Sequence, residues 1–240
     1  MKNDLFSIGP FTVHGYGLMI AIGVLSAYYM VEYRAKKKQM DWEKVFPLTV
    51  WSVLGGFLGS KILYLLTRLP DILANPALLG SSIKDGFVVY GGIIGGILTA
   101  WIYCKCTKWN FWEIFDIAMP AVAMAQGFGR IGCLLAGCCY GIELDPANPI
   151  GIVFHNSAYA PNDVALLPTQ IISSVLDFAN CFVLLALSKK LKTDGQVASC
   201  YLIFYSIGRF VLEYFRGDLI RGNVGEFSTS QFISLFICLI

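Results

Sequence analysis

The chain has 240 residues, 56% of them apolar and 14% charged, with a mean hydropathy of +0.64 and a formal net charge of +2. Soluble domains carry about 25% charged residues, and about 45–50% apolar ones even with glycine counted; here 24 glycines stand outside the 56%. A disordered chain, a secreted disulfide scaffold and a nucleic-acid binder are excluded, the last because it would need a concentrated basic patch.

What remains is an all-α polytopic membrane protein. The chain opens Met1-Lys2-Asn3-Asp4 with no basic leader and no small-residue cleavage site, so no cleaved signal peptide is expected. A transmembrane helix needs about 20 mostly apolar residues. Seven runs approach that length: 16–33, 45–66, 87–104, 111–137, 168–188, 197–215 and 227–240. Gly, Pro or charge clusters punctuate each one, as helix ends should be. They predict seven transmembrane helices in a single membrane domain over 1–240. Between them, 67–86 reads as an external segment lying in the interface. The 138–167 stretch, without Lys or Arg, reads as an ordered external loop with little regular structure. The last run stops at Ile240 a turn or two short of a span, so a truncated final span is expected.

Lys and Arg bias sets orientation. One side collects ten basic residues, around Arg34–Lys44, Lys105–Lys108 and Lys189–Lys192; the other collects five, Lys2, Arg68, Lys84, Arg216 and Arg221. The ten-residue side is expected in the cytoplasm, with the N-terminus outside. Lys61, Arg130 and Arg209 fall within the predicted spans, where ionisable groups by default mark function.

Topology brings polar groups from six helices to the outer leaflet: His14, Tyr16, Lys61, Tyr64, Tyr90, Arg130, Gln170, Arg209, Glu213 and Arg216. Arg130 is expected roughly 10 Å below the outer end of its helix at 1.5 Å per residue. Arg209, Glu213 and Arg216 share one helix face. They can be read as a self-neutralising ladder. They can also be read, with Arg130 and Lys61, as a surplus of positive charge suited to phosphate. Gly91 and Gly92 beside Tyr90, and Gly55, Gly56 and Gly59, form small-residue stripes for close helix packing; Gly91 and Gly92 are also candidates for letting a lipid headgroup reach the backbone. Asp116 and Asp177 read as structural groups away from the arginine cluster. The eight cysteines are scattered, with no CxxC pair, and Cys104-x-Cys106 is too tight for zinc, so no metal and no cofactor is expected. Cys138 and Cys139 read as small residues closing a helix, with a covalent or redox role as the alternative.

Five segments carry a family resemblance: HGYGLM (14–19), VVYGGIIGG (88–96), GFGRIGCLLAGCCYG (127–141), LPTQ (167–170) and YSIGRFVLEYFR (205–216). In this order, they resemble prolipoprotein diacylglyceryl transferases of the bacterial inner membrane. The resemblance implies transfer of the diacylglyceryl group of phosphatidylglycerol to the lipobox cysteine of a secreted prolipoprotein signal peptide, with release of glycerol phosphate. It implies partners in that lipid, that peptide and the bilayer, and none in nucleic acid. Arg130 and Arg209 match the family's essential arginines, Glu213 and Arg216 their companions, and Tyr205 the tyrosine one turn before. Tyr16 matches the tyrosine of the first helix, Gly141 the closing glycine of the signature, and Lys61 a position where arginine is usual. Cys133, Gln170, Gly91 and Gly92 complete the candidate binding set. Tyr90 stands where the family commonly has His, Cys133 where it has Asn and Cys138 where it has Glu. Tyr90 is the positional candidate for proton acceptor, although a phenol is a weak base at neutral pH. Two other readings stay open: a diverged paralogue using the same or a related phospholipid with another acceptor, and a small-anion carrier. Carriers often show inverted repeats and midplane sites, and neither is visible.

Overall fold

The structure, a computed structural model, describes residues 4–8, 11–75, 77–84, 86–218, 223–224 and 227–238. Helices occupy all seven apolar runs: α1 (Gly15–Lys37), α2 (Val45–Thr67), α5 (Val89–Thr107), α6 (Phe111–Ala136), α7 (Thr169–Leu187), α8 (Gln196–Glu213) and α9 (Thr229–Cys238), with short α3 (Leu69–Ala74) and α4 (Leu78–Lys84) between α2 and α5. Among the described residues five stretches are long and apolar enough to cross a membrane: α1, Trp42–Thr67, α5, α6 and α7. Only 6% of the most apolar window of Trp42–Thr67 is buried by protein. Phe46, Trp51, Phe57 and Leu58 point outward there, as a helix solvated by lipid requires. The chain is helical as expected. Three antiparallel ribbons, which patterning did not announce, join the elements: β1 (Asp4–Ile8) with β2 (Phe11–His14), β3 (Ile152–Val153) with β4 (Ala165–Leu166), and β5 (Asn223–Val224) with β6 (Phe227–Ser228).

The chain forms two compact units, Met1–Val31 with Phe115–Ile240, and Glu32–Ile114. In the second, α2 and α5 pack backbone to backbone. A Cβ at Gly59 would collide with the Gly91 carbonyl oxygen, one at Gly91 with the Gly59 carbonyl, and one at Gly95 with the Gly55 carbonyl. The glycine stripes on both helices therefore permit an approach that any side chain would prevent.

In the first unit, Met119 and Ala123 of α6, Cys181 and Leu184 of α7, and Val197, Ala198 and Tyr201 of α8 form the core, with Met30 of α1 against it. Asp116 caps α8 from another helix: its carboxylate accepts from the Gly195 amide at 2.9 Å and the Ala198 amide at 2.8 Å. These are donors that a helix N-terminus leaves without intrahelical partners. The 138–167 stretch has its own small core of Phe154, Ala160 and Leu166, closed by Leu134 and Tyr140. Asp145, Asn148 and Asn162 fix its turns through side-chain oxygens that accept backbone amides. It is a loop whose regular structure is confined to β3, β4 and isolated bridges.

Candidate functional site

Three helices of the first unit, α6, α7 and α8, enclose a cavity of about 290 Å³. Arg130, Asp177, Asn180, Tyr205 and Arg209 line it among apolar side chains. Arg130 Nε stands 4.0 Å from Asp177 Oδ2, beyond hydrogen-bond distance. Among the described residues no acceptor is hydrogen-bonded to its guanidinium, and the residue lines the cavity. Arg209 is held more tightly. Its Nη2 lies 2.8 Å from Glu213 Oε2 and donates to Ser230 Oγ at 3.0 Å. Tyr205 stacks on Tyr201, ring centroids 5.8 Å apart, and the Tyr201 hydroxyl donates to Gln126 Oε1 at 2.9 Å. Asn180 Oδ1 is buried with no hydrogen-bond partner among the described residues.

The charge balance differs from the surplus expected. Arg216 donates from Nε to Asp218 Oδ1 at 2.8 Å and from Nη2 to Asp218 Oδ2 at 2.6 Å, a two-pronged pair, while Glu213 Oε2 lies 3.9 Å from its Nε. Burial works most strongly against the Arg216 charge, but Asp218 and the Cys139 sulfur together outweigh it and raise its pKa. Arg130, Arg209 and Arg216 thus face Asp177, Glu213 and Asp218, and the cluster is close to neutral. Asp218 lies past the end of α8, where helix-face reasoning does not reach. Asp177, expected away from the arginines, lies 4.0 Å from Arg130; it sits eight residues into α7, roughly 12 Å at 1.5 Å per residue, a depth that matches Arg130 on α6.

The turn after α6 joins this region to the rest of the signature. Gly137, at φ +75°, ends the helix, and Cys139 holds φ +61°, a left-handed conformation uncommon for a residue with a Cβ. Gln170 Nε2 donates to the Cys138 carbonyl and Thr169 Oγ1 to the Cys139 carbonyl, both at 2.9 Å. Gln170 is 1% exposed and clamps this turn. Gly141 bridges to Arg216 across an isolated antiparallel pairing, and its amide donates to the Leu167 carbonyl. Tyr16 packs against Gly132 on α6. The Sγ atoms of Cys133, Cys138 and Cys139, which form no CxxC pair in the sequence, lie within 4.8 Å of one another. Hydrogen bonds from the Cys133 and Cys138 thiols lower the Cys139 pKa, with Arg216 adding to the effect against the opposing influence of burial.

Tyr16, Arg130, Cys133, Gly141, Gln170, Tyr205, Arg209, Glu213 and Arg216 all belong to the first unit. Lys61, Tyr90, Gly91 and Gly92 belong to the second. There Lys61 Nζ donates to the Ser82 and Gly86 carbonyls at 3.0 and 3.1 Å and sits 4.6 Å from the Phe87 ring centroid. Tyr90 is 40% exposed. Gly91 and Gly92 lie against α2, Gly92 beside the Ser60 hydroxyl and the Gly56 carbonyl. Packing is the role their surroundings display. His155, paired with Asp163 at 2.6 Å, is exposed on the loop.

The family description for prolipoprotein diacylglyceryl transferase matches residues 3–240. The chain belongs to the prolipoprotein diacylglyceryl transferase family. Relatives named phosphatidylglycerol–prolipoprotein diacylglyceryl transferase include one from Clostridium tetani, 46% identical across 100% of this chain and 95% of the relative. One from Clostridium perfringens, the second of its name, is 45% identical across 99% and 91%. One from Staphylococcus carnosus is 31% identical across 98% and 86%. Family membership thus spans both compact units, and the cavity between α6, α7 and α8 holds the arginine of the signature turn and the arginine of α8 together.

Proposed function

We propose that this protein transfers the diacylglyceryl group of phosphatidylglycerol to the lipobox cysteine of prolipoproteins. The observation that carries the reading is that Arg130 and Arg209, distant in sequence, line one cavity, with Asp177 beyond hydrogen-bond distance of the Arg130 Nε. The relatives' names supply the substrates.

The chemistry is a substitution at carbon. The acceptor sulfur forms a bond to the glyceryl methylene carbon, and the bond from that carbon to the phosphate oxygen breaks. The electron pair leaves on that oxygen, so a phosphodiester becomes the monoester of glycerol phosphate and gains negative charge. Guanidinium donors fixed in a low-dielectric cavity stabilise that charge as it develops. Arg130 acts on the phosphate directly, with Arg209 beside it, oriented by Glu213 and Ser230. The thiol must reach the thiolate form to attack. In this reading Tyr90 accepts the proton, while Tyr16, Cys133, Gly141, Gln170, Tyr205 and Arg216 complete the binding surface of the first unit.

The chain spans the bacterial plasma membrane seven times as a single domain, N-terminus outside and the cavity near the outer leaflet. The excess of Lys and Arg on the opposite side supports this orientation. Incubating the purified protein in phosphatidylglycerol vesicles, with and without a lipobox peptide, tests the function. Glycerol phosphate should appear only with the peptide. Release without peptide would favour the paralogue with another acceptor, and anion uptake without lipid turnover would favour the carrier.

A further inference from the structure

Cys133 lies on the last turn of α6. Beyond it, Gly137 and Cys139 both take left-handed backbone angles, and the Cys138 amide donates to the Cys133 carbonyl at 3.1 Å. This reversal folds Cys138 and Cys139 back over Cys133. Among the described residues these three are the group of His, Cys, Asp or Glu side chains whose ligating atoms gather closely enough to hold a metal ion, all Sγ within 4.8 Å of one another. Each is partly accessible, none fully buried. The backbone that presents them is pinned from α7 by Thr169 and Gln170, so the arrangement does not depend on a bound ion to bring distant segments together.

We propose that Cys133, Cys138 and Cys139 form a three-thiolate site for a thiophilic cation, Zn²⁺. Zinc takes thiolates at about 2.3 Å with tetrahedral angles, which places sulfurs about 3.8 Å apart. The present spacing meets that with a contraction of about an ångström or less. Thiolates select zinc and cuprous ions over magnesium or calcium, which take oxygen ligands. Three protein ligands leave the fourth position for water or another donor. Three thiolates around Zn²⁺ carry a net negative charge. The positive charge of Arg216, which acts electrostatically on Cys139, offsets it. The ligand spacing, five residues and then one, differs from paired CxxC spacings because the left-handed Cys139 lets adjacent residues serve one ion. The same feature accounts for a strained residue at this turn.

The test uses the full-length chain, purified anaerobically in detergent without chelators or a metal-affinity tag. The metal content per chain is measured by elemental mass spectrometry. Near-stoichiometric zinc is expected, or zinc uptake that shields the three thiols from maleimide. Cobalt(II) should give a sulfur-to-cobalt charge-transfer band in the near ultraviolet. Cys133→Ser, Cys138→Ser and Cys139→Ser should each weaken zinc binding at least about 10-fold, while Cys106→Ser, in the other unit, leaves it intact. Because a serine variant can also misfold, thiol protection of the wild-type chain decides independently. Wild-type protein that neither retains zinc nor protects its thiols overturns the site. So does binding unchanged by all three serine variants, or an intact mass showing a disulfide among the three.

Discussion

Arg130 and Asp177 show how a carboxylate can orient an arginine without consuming it. At 4.0 Å the pair gains Coulomb attraction, which is larger in a low-dielectric cavity than in water, yet leaves the guanidinium donors for a ligand. We predict that Arg130→Gln lowers transfer at least about 100-fold, the scale for deleting a donor to a developing oxyanion, with the elution volume and melting temperature unchanged. Arg209→Gln should follow it. Full activity in either variant would remove that arginine from the chemistry. Tyr90→Phe should abolish turnover while vesicle-bound phosphatidylglycerol still associates; unchanged turnover would dismiss the phenol as proton acceptor. The arginines were legible in the sequence because charges inside apolar runs are scarce. Their partners were not: Asp177 reaches Arg130 from another helix and Asp218 reaches Arg216 from beyond a helix end, and neither relation has a fixed sequence spacing.

At the level of elements, the apolar runs announced the helices, and the glycine stripes announced close helix packing, while the pairing of α2 with α5 came from the fold. Gly59→Val should destabilise the chain by about 1–3 kcal/mol, the range for overpacking, because its Cβ would meet the Gly91 carbonyl rather than a side chain that can move. Gly17→Ala has nothing within 4 Å of the added Cβ and should leave the unfolding temperature in detergent unchanged or slightly raised. Equal effects of the two substitutions would contradict backbone-to-backbone packing. Asp116→Ala should cost about 1.5–3 kcal/mol, the worth of hydrogen bonds to a charged group, since it strips the amides of Gly195 and Ala198 of their acceptor. Asp116→Asn, which keeps one acceptor oxygen, should cost less in the same unfolding experiment. The place of Asp116 away from the arginine cluster marks it as structural, but its service as the cap of α8 depends on packing that the sequence does not display. Two of the three ribbons stayed hidden for a related reason: the two-residue strands β3 to β6 are too short for alternation to register.

For the whole molecule, the low charge content divides into a basic fringe expected in the cytoplasm and a nearly neutral cluster of arginines and carboxylates, of which Arg130, Asp177 and Arg209 line one cavity. The membrane class and helical architecture were therefore plain from composition, whereas the balance of the cluster required the fold. The orientation is open to labelling. In a chain whose other reactive cysteines are replaced, a cysteine at Glu143 should react with an impermeant maleimide in intact cells, and Cys106 only after permeabilisation. The reverse pattern would put the N-terminus inside. The central claim is diacylglyceryl transfer to a thiol, and its most direct test is the mass of the acceptor. Purified protein, phosphatidylglycerol and a lipobox peptide should yield a peptide heavier by one diacylglyceryl group on its cysteine sulfur, and a peptide with serine there should yield none. An unmodified cysteine peptide after incubation with intact, folded protein would contradict the account.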